Sequence, residues 1–261
     1  MTRIIHLSDP HFGTEDPALL QPLCAWVAGA RPDVVVLSGD LTQRARPAQF
    51  AAAARFIAAL PAPVLAIPGN HDTPLGNLAL RLFRPWYRYH NILPELEPVV
   101  DAGTARIVGV NTANPLVWKD GRITPAQLDR LHRSFDAAPD RRRIVAMHHP
   151  VEGPPGEPRS LSGATEAAAA FAAMGVEIVL SGHLHFTYAA PLSLALGVLS
   201  VQAGTCVSTR TRSDGNAFTM LDLGDSAVTL THIRAQPDKS FRADAEWTLR
   251  QEGGRWTAPG L

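Results

Sequence analysis

Val64-Leu65-Ala66-Ile67-Pro68-Gly69-Asn70-His71-Asp72 carries an apolar run straight into a cluster of reactive side chains. The run has no polar alternation, as expected of a strand covered on both faces. An Asn, a His and an Asp delivered together off the end of a buried strand form a chemically reactive arrangement. Four more clusters repeat it: Asp9-Pro10-His11, Gly39-Asp40, His148-His149-Pro150 and Gly182-His183-Leu184-His185. Each follows directly on a hydrophobic run, so the ordered set points to one site built from several strand ends.

Working outward, residues 3–7 and 34–37 share the character of residues 64–67. Between them, residues 17–30 place Leu19, Leu20, Leu23, Trp26 and Val27 at helical spacing. Residues 47–60 predict an Ala-rich helix with Pro47 in its first turn, where proline is tolerated. Strand–helix–strand repetition points to βαβ units and a largely parallel sheet. The pattern continues at residues 106–110, 144–147 and 178–180. Helices are predicted from Thr124-Pro125 towards Phe135 and over residues 165–174, with Gly175 as a C-terminal cap. After Pro191, residues 197–203, 217–223 and 227–233 follow closely, with Gly224-Asp225 as a turn, which suggests antiparallel strands. These elements predict two packed sheets with outer helices, in a single domain over residues 1–261. Residues 152–163 form the clearest Pro/Gly-rich loop.

Lys+Arg and Asp+Glu both number 24, and the resulting zero net charge argues against a general nucleic-acid-binding role. A small phosphorylated substrate stays open, because metal ions can supply positive charge. No apolar run approaches the ~20 residues of a membrane span, and Met1-Thr2-Arg3-Ile4-Ile5-His6 lacks a signal-peptide hydrophobic region. Cys24 and Cys206 are too few for a disulfide scaffold, so a reduced, cytoplasmic setting is expected.

The five clusters offer carboxylate oxygens, imidazole nitrogens and one amide oxygen, without a thiolate. Such mixed ligation suits Mn, Fe, Co or Zn and argues against a structural zinc knot. Asp9 and His11, like His183 and His185, stand two apart, so on an extended chain both side chains leave one face. Gly39, Gly69 and Gly182 precede donor candidates and serve either a close backbone approach or an ordinary turn.

The set D-x-H, G-D, G-N-H-D, H-H-P and G-H-x-H, spread over residues 9 to 185, resembles the calcineurin-like metallophosphoesterase superfamily. It looks most like the bacterial cyclic-nucleotide and glycerophosphodiester phosphodiesterase branch. The resemblance implies a four-layer α/β/β/α sandwich of two mixed sheets flanked by helices. It implies two divalent metal ions (Mn, Fe or Zn), the first held by Asp9, His11, Asp40 and His185. Asp40, Asn70, His148 and His183 would hold the second, with Asp40 bridging. His148 matches the family ligand because it stands two residues before Pro150, and His149 would shape the surroundings. His71 resembles the catalytic histidine, which contacts a phosphoryl oxygen or protonates the leaving alcohol. Asp72 either orients His71 or plays a turn role.

Two such ions would turn a bound water into a hydroxide nucleophile for in-line attack on phosphorus. Asp9, Asp40 and that hydroxide carry the only formal negative charges, so the centre stays positive and attracts phosphate. The expected function is phosphodiesterase activity on a small phosphoester, with no specific nucleic-acid or membrane partner; homo-oligomer formation is left open. A phosphomonoesterase or nucleotide pyrophosphatase would share the core, and a non-catalytic metal-binding scaffold would share the fold.

His6, His90, His132 and His232 read as structural. Arg81, Arg84 and Arg88 interleave with Phe83, Trp86, Tyr87 and Tyr89, which reads as an amphipathic helix with solvated arginines in preference to a substrate cap. Arg141-Arg142-Arg143 reads as a solvated edge. Arg210 and Arg212, in the polar loop 205–216, could reach the site or a partner subunit.

Overall fold

The computed structural model describes residues 1–212 and 215–257. Strands β1 (Thr2–Leu7), β2 (Val34–Leu37) and β3 (Val64–Ala66) alternate with helices α1 (Pro17–Ala30) and α2 (Pro47–Ala59). Short helices α3 (Leu78–Phe83) and α4 (Tyr87–His90) lead to β4 (Val99–Ala102), β5 (Ala105–Val110) and β6 (Gly121–Arg122). Next come α5 (Pro125–Asp136), β7 (Arg142–Met147), β8 (Leu161–Ser162), α6 (Ala164–Ala173) and β9 (Ile178–Ser181). The later described elements are strands: β10 (Tyr188–Leu192), β11 (Ala195–Gln202), β12 (Ala217–Leu223), β13 (Ala227–Ala235), β14 (Phe241–Glu252) and β15 (Arg255–Thr257).

One sheet has seven strands in the order β15-β14-β13-β12-β1-β2-β3; the other has six, β10-β11-β9-β7-β5-β4. Both are mixed. β1, β2 and β3 run parallel, as do β5, β7, β9 and β11, while β12 to β15 add antiparallel pairs to the first sheet. β6 and β8 form a separate small pair.

Side-chain alternation along the wholly apolar strands sets the layers. Ile4, Val34, Val36, Ile144, Ala146, Ile178 and Leu180 join one core between the sheets. Their neighbours Ile5, Leu7, Val35 and Leu37 face outward, onto Leu19, Leu23 and Val27 of α1 and Phe50, Ala53 and Phe56 of α2. Val145, Met147 and Val179 pack likewise against Leu131 and Phe135 of α5 and Phe171 of α6. The result is a helix–sheet–sheet–helix arrangement. Thr124 and Gln127 cap α5 reciprocally, each side chain accepting from the other's backbone N–H at 3.3 and 2.9 Å.

Two expectations change. The strand expected over residues 197–203 lies in the second sheet, parallel to β9, rather than pairing with the strands after it. Pro191 sits inside β10, where an edge position spares it from donating to a ladder. Arg142 is no solvated edge: it pairs with Glu177 at 2.7 Å and donates to the Gly224 carbonyl at 2.9 Å, tying one sheet to the other. Cys24 and Cys206 are free, and no helix among the described residues is long and apolar enough to cross a membrane.

His6 behaves as the structural residue expected. It is fully buried, with Nε2 2.9 Å from Ser38 Oγ. Burial pushes its pKa from 6.5 down to about 3, against the attraction of Asp9. Between those values the unfolded chain binds a proton that the folded chain refuses. The stability it contributes is therefore intact above about pH 6.5 and is lost as the pH falls towards 3. The slope from this one group is about 1.4 kcal/mol per pH unit. Urea unfolding at pH 7 and pH 5 should show a smaller loss for His6→Asn than for the wild type; equal losses would clear His6 of the effect.

Candidate metal centre

Parallel strands end on one side, and that side collects the reactive clusters. Asp9 and His11 follow β1, Asp40 follows β2, Asn70 and His71 follow β3, His148 and His149 follow β7, and His183 and His185 follow β9. The two sheets thus contribute to one cleft. The paired donors are not on extended chain, as the two-residue spacing suggests. Asp9, His11, Asp40, His183 and His185 lie in the left-handed region, at φ of 50, 47, 50, 72 and 61°. Such kinks turn the backbone sharply off each strand, at a conformational cost to residues with a Cβ.

Donor atoms then converge. His185 Nε2 lies 3.2 Å from Asp9 Oδ1 and 3.1 Å from His11 Nε2, which is 3.7 Å from Asp40 Oδ2. On the other side of Asp40, His148 Nε2 lies 3.4 Å from the same Oδ2 and 3.2 Å from Asn70 Oδ1. Second-layer bonds aim these atoms. His148 and His185 donate through Nδ1 to the Ser38 and Arg210 carbonyls at 2.8 and 2.9 Å, leaving their Nε2 lone pairs facing inward. Asp9 Oδ2 accepts from Ser8 Oγ and the His183 N–H, freeing Oδ1 for the cleft.

A cation fits this geometry. Among the described residues, Asp9 Oδ1 and His183 Nε2 find no hydrogen-bond partner although both are buried, an expensive condition for polar atoms. Burial opposes ionisation of Asp9, but the facing His11 and His185 hold its pKa well below the carboxylate range; His148 and His71 do the same for Asp40. Asp40 in turn pushes His148 up to about 9 against the effect of burial. The oxygens that favour a proton there also favour a divalent ion.

His149 is close enough to His148 and His183 to complete a three-histidine cluster. Both its nitrogens are nevertheless spoken for: Nδ1 accepts from Thr112 Oγ1 at 2.9 Å, and Nε2 donates to the Lys119 carbonyl at 2.8 Å. It supports the site and offers no lone pair to an ion.

The motif glycines are close-approach positions rather than simple turns. A Cβ on Gly69 would stand 2.2 Å from Asp40 Oδ1, and one on Gly182 would stand 1.9 Å from Ser8 Oγ and 2.5 Å from Asp9 Oδ2. Each seats a donor from another motif.

His71 takes no place in the converging sets. Its N–H donates to Asp40 Oδ1 at 2.8 Å, and its Nδ1 donates to the Gln43 carbonyl at 2.8 Å. Nε2 then accepts from Arg210 Nη1 at 3.1 Å. Burial lowers the His71 pKa, with Asp40 opposing. Asp72 does not orient His71. Its carboxylate accepts from the N–H groups of Leu41, Thr42 and Gly69 and from Thr42 Oγ1, at 2.8–3.0 Å. It locks the loop after β2 to the loop after β3.

The cleft encloses about 380 Å³ and is lined by Asp40, Asn70, His71, His183 and His185 together with Trp118, Lys119, Arg210 and Arg212. Arg210 and Arg212 therefore reach the site from their loop, of which Ser213 and Asp214 lie outside the described residues. Trp118 and Lys119 escape notice in the sequence, since neither stands beside a reactive cluster. Arg81, expected in solvent, is buried and bonds Pro115 O, Val117 O and Thr73 Oγ1. Its neighbours form two short helices instead of one, with Arg84 and Phe83 exposed and Arg88 tied to the Ala45 carbonyl at 2.7 Å.

A four-layer sandwich with His, Asp and Asn donors at the strand ends defines a class of metal-dependent hydrolytic folds. The chain belongs to the calcineurin-like phosphoesterase family, whose model matches residues 2–186. That family is hydrolytic and metal-dependent. Among curated relatives, it is similar to the 3′,5′-cyclic adenosine monophosphate phosphodiesterase CpdA of Pseudomonas aeruginosa, 29% identical over 56% of this chain and 54% of that one. The glycerophosphodiester phosphodiesterase GpdQ of Enterobacter lignolyticus is 28% identical over 56% of each chain. The match thus spans about half the length of these two relatives. A "Probable cyclic nucleotide phosphodiesterase" of Synechococcus sp. is 27% identical over 94% of this chain and 91% of its own. A dimetal phosphatase from Danio rerio shares the fold, with a TM-score of 0.67 and 14% identity over 93% of this chain and 98% of that one.

Proposed function

We propose that the chain is a dinuclear metal-dependent phosphodiesterase acting on small phosphodiesters of cyclic-nucleotide or glycerophosphodiester type. The observation that carries this reading is the pair of donor sets meeting at Asp40, with a histidine left over beside them. Asp9, His11, Asp40 and His185 would hold one ion; Asp40, Asn70, His148 and His183 would hold the other. When bound, such a pair activates water at neutral pH and neutralises charge on the phosphoryl oxygens.

The protein's own groups do the rest. Lys119, Arg210 and Arg212 line the cleft and draw in an anionic diester. His71, held by Gln43, keeps Nε2 turned towards that space. Protonated there, it would donate to a phosphoryl oxygen or to the leaving alcohol, freeing Arg210 to pair with the phosphate. The diester preference draws on the activities named for the relatives. Free Cys24 and Cys206 are in keeping with a reducing, cytoplasmic setting.

The test is a panel of 3′,5′-cyclic AMP, glycerophosphoethanolamine, glucose 6-phosphate and ADP with the Mn-loaded protein, alongside metal analysis. Faster hydrolysis of the diesters is expected. Preference for glucose 6-phosphate or ADP would make it a phosphatase or pyrophosphatase, and bound metal without any hydrolysis would make it a scaffold.

A further inference from the structure

We propose that Trp118 is a stacking platform for a planar ring on the substrate, so that the cleft selects ring-bearing phosphoesters over glycerol-based ones; the idea deepens the phosphodiesterase reading and rests on it. Trp118 lines the cleft beside Asp40, Asn70 and His71, yet it is 64% exposed. So large an apolar surface left open at the mouth of a polar cleft is a feature that calls for an occupant.

The exposure does not come from a loose loop. Arg81, only 3% exposed, donates to Pro115 O at 2.6 Å, Val117 O at 2.5 Å and Thr73 Oγ1 at 2.7 Å. Asn70 Nδ2 donates to the Trp118 carbonyl at 3.3 Å, and His149 Nε2 to the Lys119 carbonyl at 2.8 Å. Two of the anchors thus come from the metal-site motifs themselves, which holds the backbone that carries the ring in register with the reacting centre. The Arg81 guanidinium carbon lies 4.9 Å from the indole centroid and covers part of the ring. Trp118 shares the lining of the cleft with Lys119, Arg210 and Arg212, the cations that would take the phosphate. A flat ring joined to a phosphate by a few atoms, as in a nucleotide, matches this order of surfaces. A rigid, pre-placed platform also spares the ligand the cost of ordering it.

The test compares adenosine 5′-monophosphate with ribose 5-phosphate, which keeps the sugar and phosphate and lacks the base. Calorimetric titration of the Mn-loaded protein should show AMP binding more tightly. Trp118→Ala should shrink the ratio of the two dissociation constants by roughly 10- to 100-fold, the usual worth of one base–aromatic stack. Trp118→Phe should retain most of it. Equal affinities in the wild type, or an unchanged ratio in Trp118→Ala, would overturn the platform. Because binding is read without turnover, a protein that hydrolyses no diester would fail the panel above and leave this measurement intact.

Discussion

Asp40→Asn is expected to empty the centre of metal and to lower diester turnover by more than about 10³-fold. Asp40 Oδ2 is 3.7 Å from His11 Nε2 and 3.4 Å from His148 Nε2, so one oxygen serves both donor sets. The exchange keeps the shape that Gly69 packs against but removes the charge that would hold the proposed pair of cations side by side. It also weakens the acceptor for the His71 N–H, now 2.8 Å from Oδ1. Elemental analysis gives metal content and an aryl phosphodiester gives rate. A variant with near-wild-type hydrolysis would remove Asp40 from the centre of the mechanism.

His71→Ala should separate catalysis from metal binding. Its kcat should drop by about 10²–10⁴-fold, the range for losing a positioned acid or base. Metal content should hold, because both His71 nitrogens point at Gln43 and Arg210 and not into the donor sets. An unchanged kcat would end the catalytic assignment. Loss of metal together with rate would instead place His71 among the ligands.

Legibility in the sequence follows the range of the interaction. Residues 34–37 and 64–66 announce themselves because a strand buried on both faces needs no partner to be recognised. β14 does not: its twelve residues are largely exposed and polar, including Arg242, Asp244 and Glu246, so no apolar run marks it. The pairing of β11 with β9 is equally hidden, since helical and strand periodicities carry no information on neighbours. In the cleft, Asp9, His11, Asp40, Asn70, His148, His183 and His185 are visible because reactive types follow apolar runs. Arg210 meets His71 across 139 positions, and Arg81 holds a loop more than 30 positions away. Contacts of that reach are made by folding. Asp72 shows the remaining gap: its type suggests help to His71, whereas its four donors are spread over two loops.

The left-handed kinks at Asp9, His11, Asp40, His183 and His185 have a consequence for how such a chain can change. A residue with a Cβ forgoes of order 1 kcal/mol or more in that region, and glycine relieves much of it. Drift towards a sturdier fold therefore runs through glycine at these places, and every such step deletes a donor. Stability and the supply of donor atoms to the cleft pull in opposite directions at five separate points.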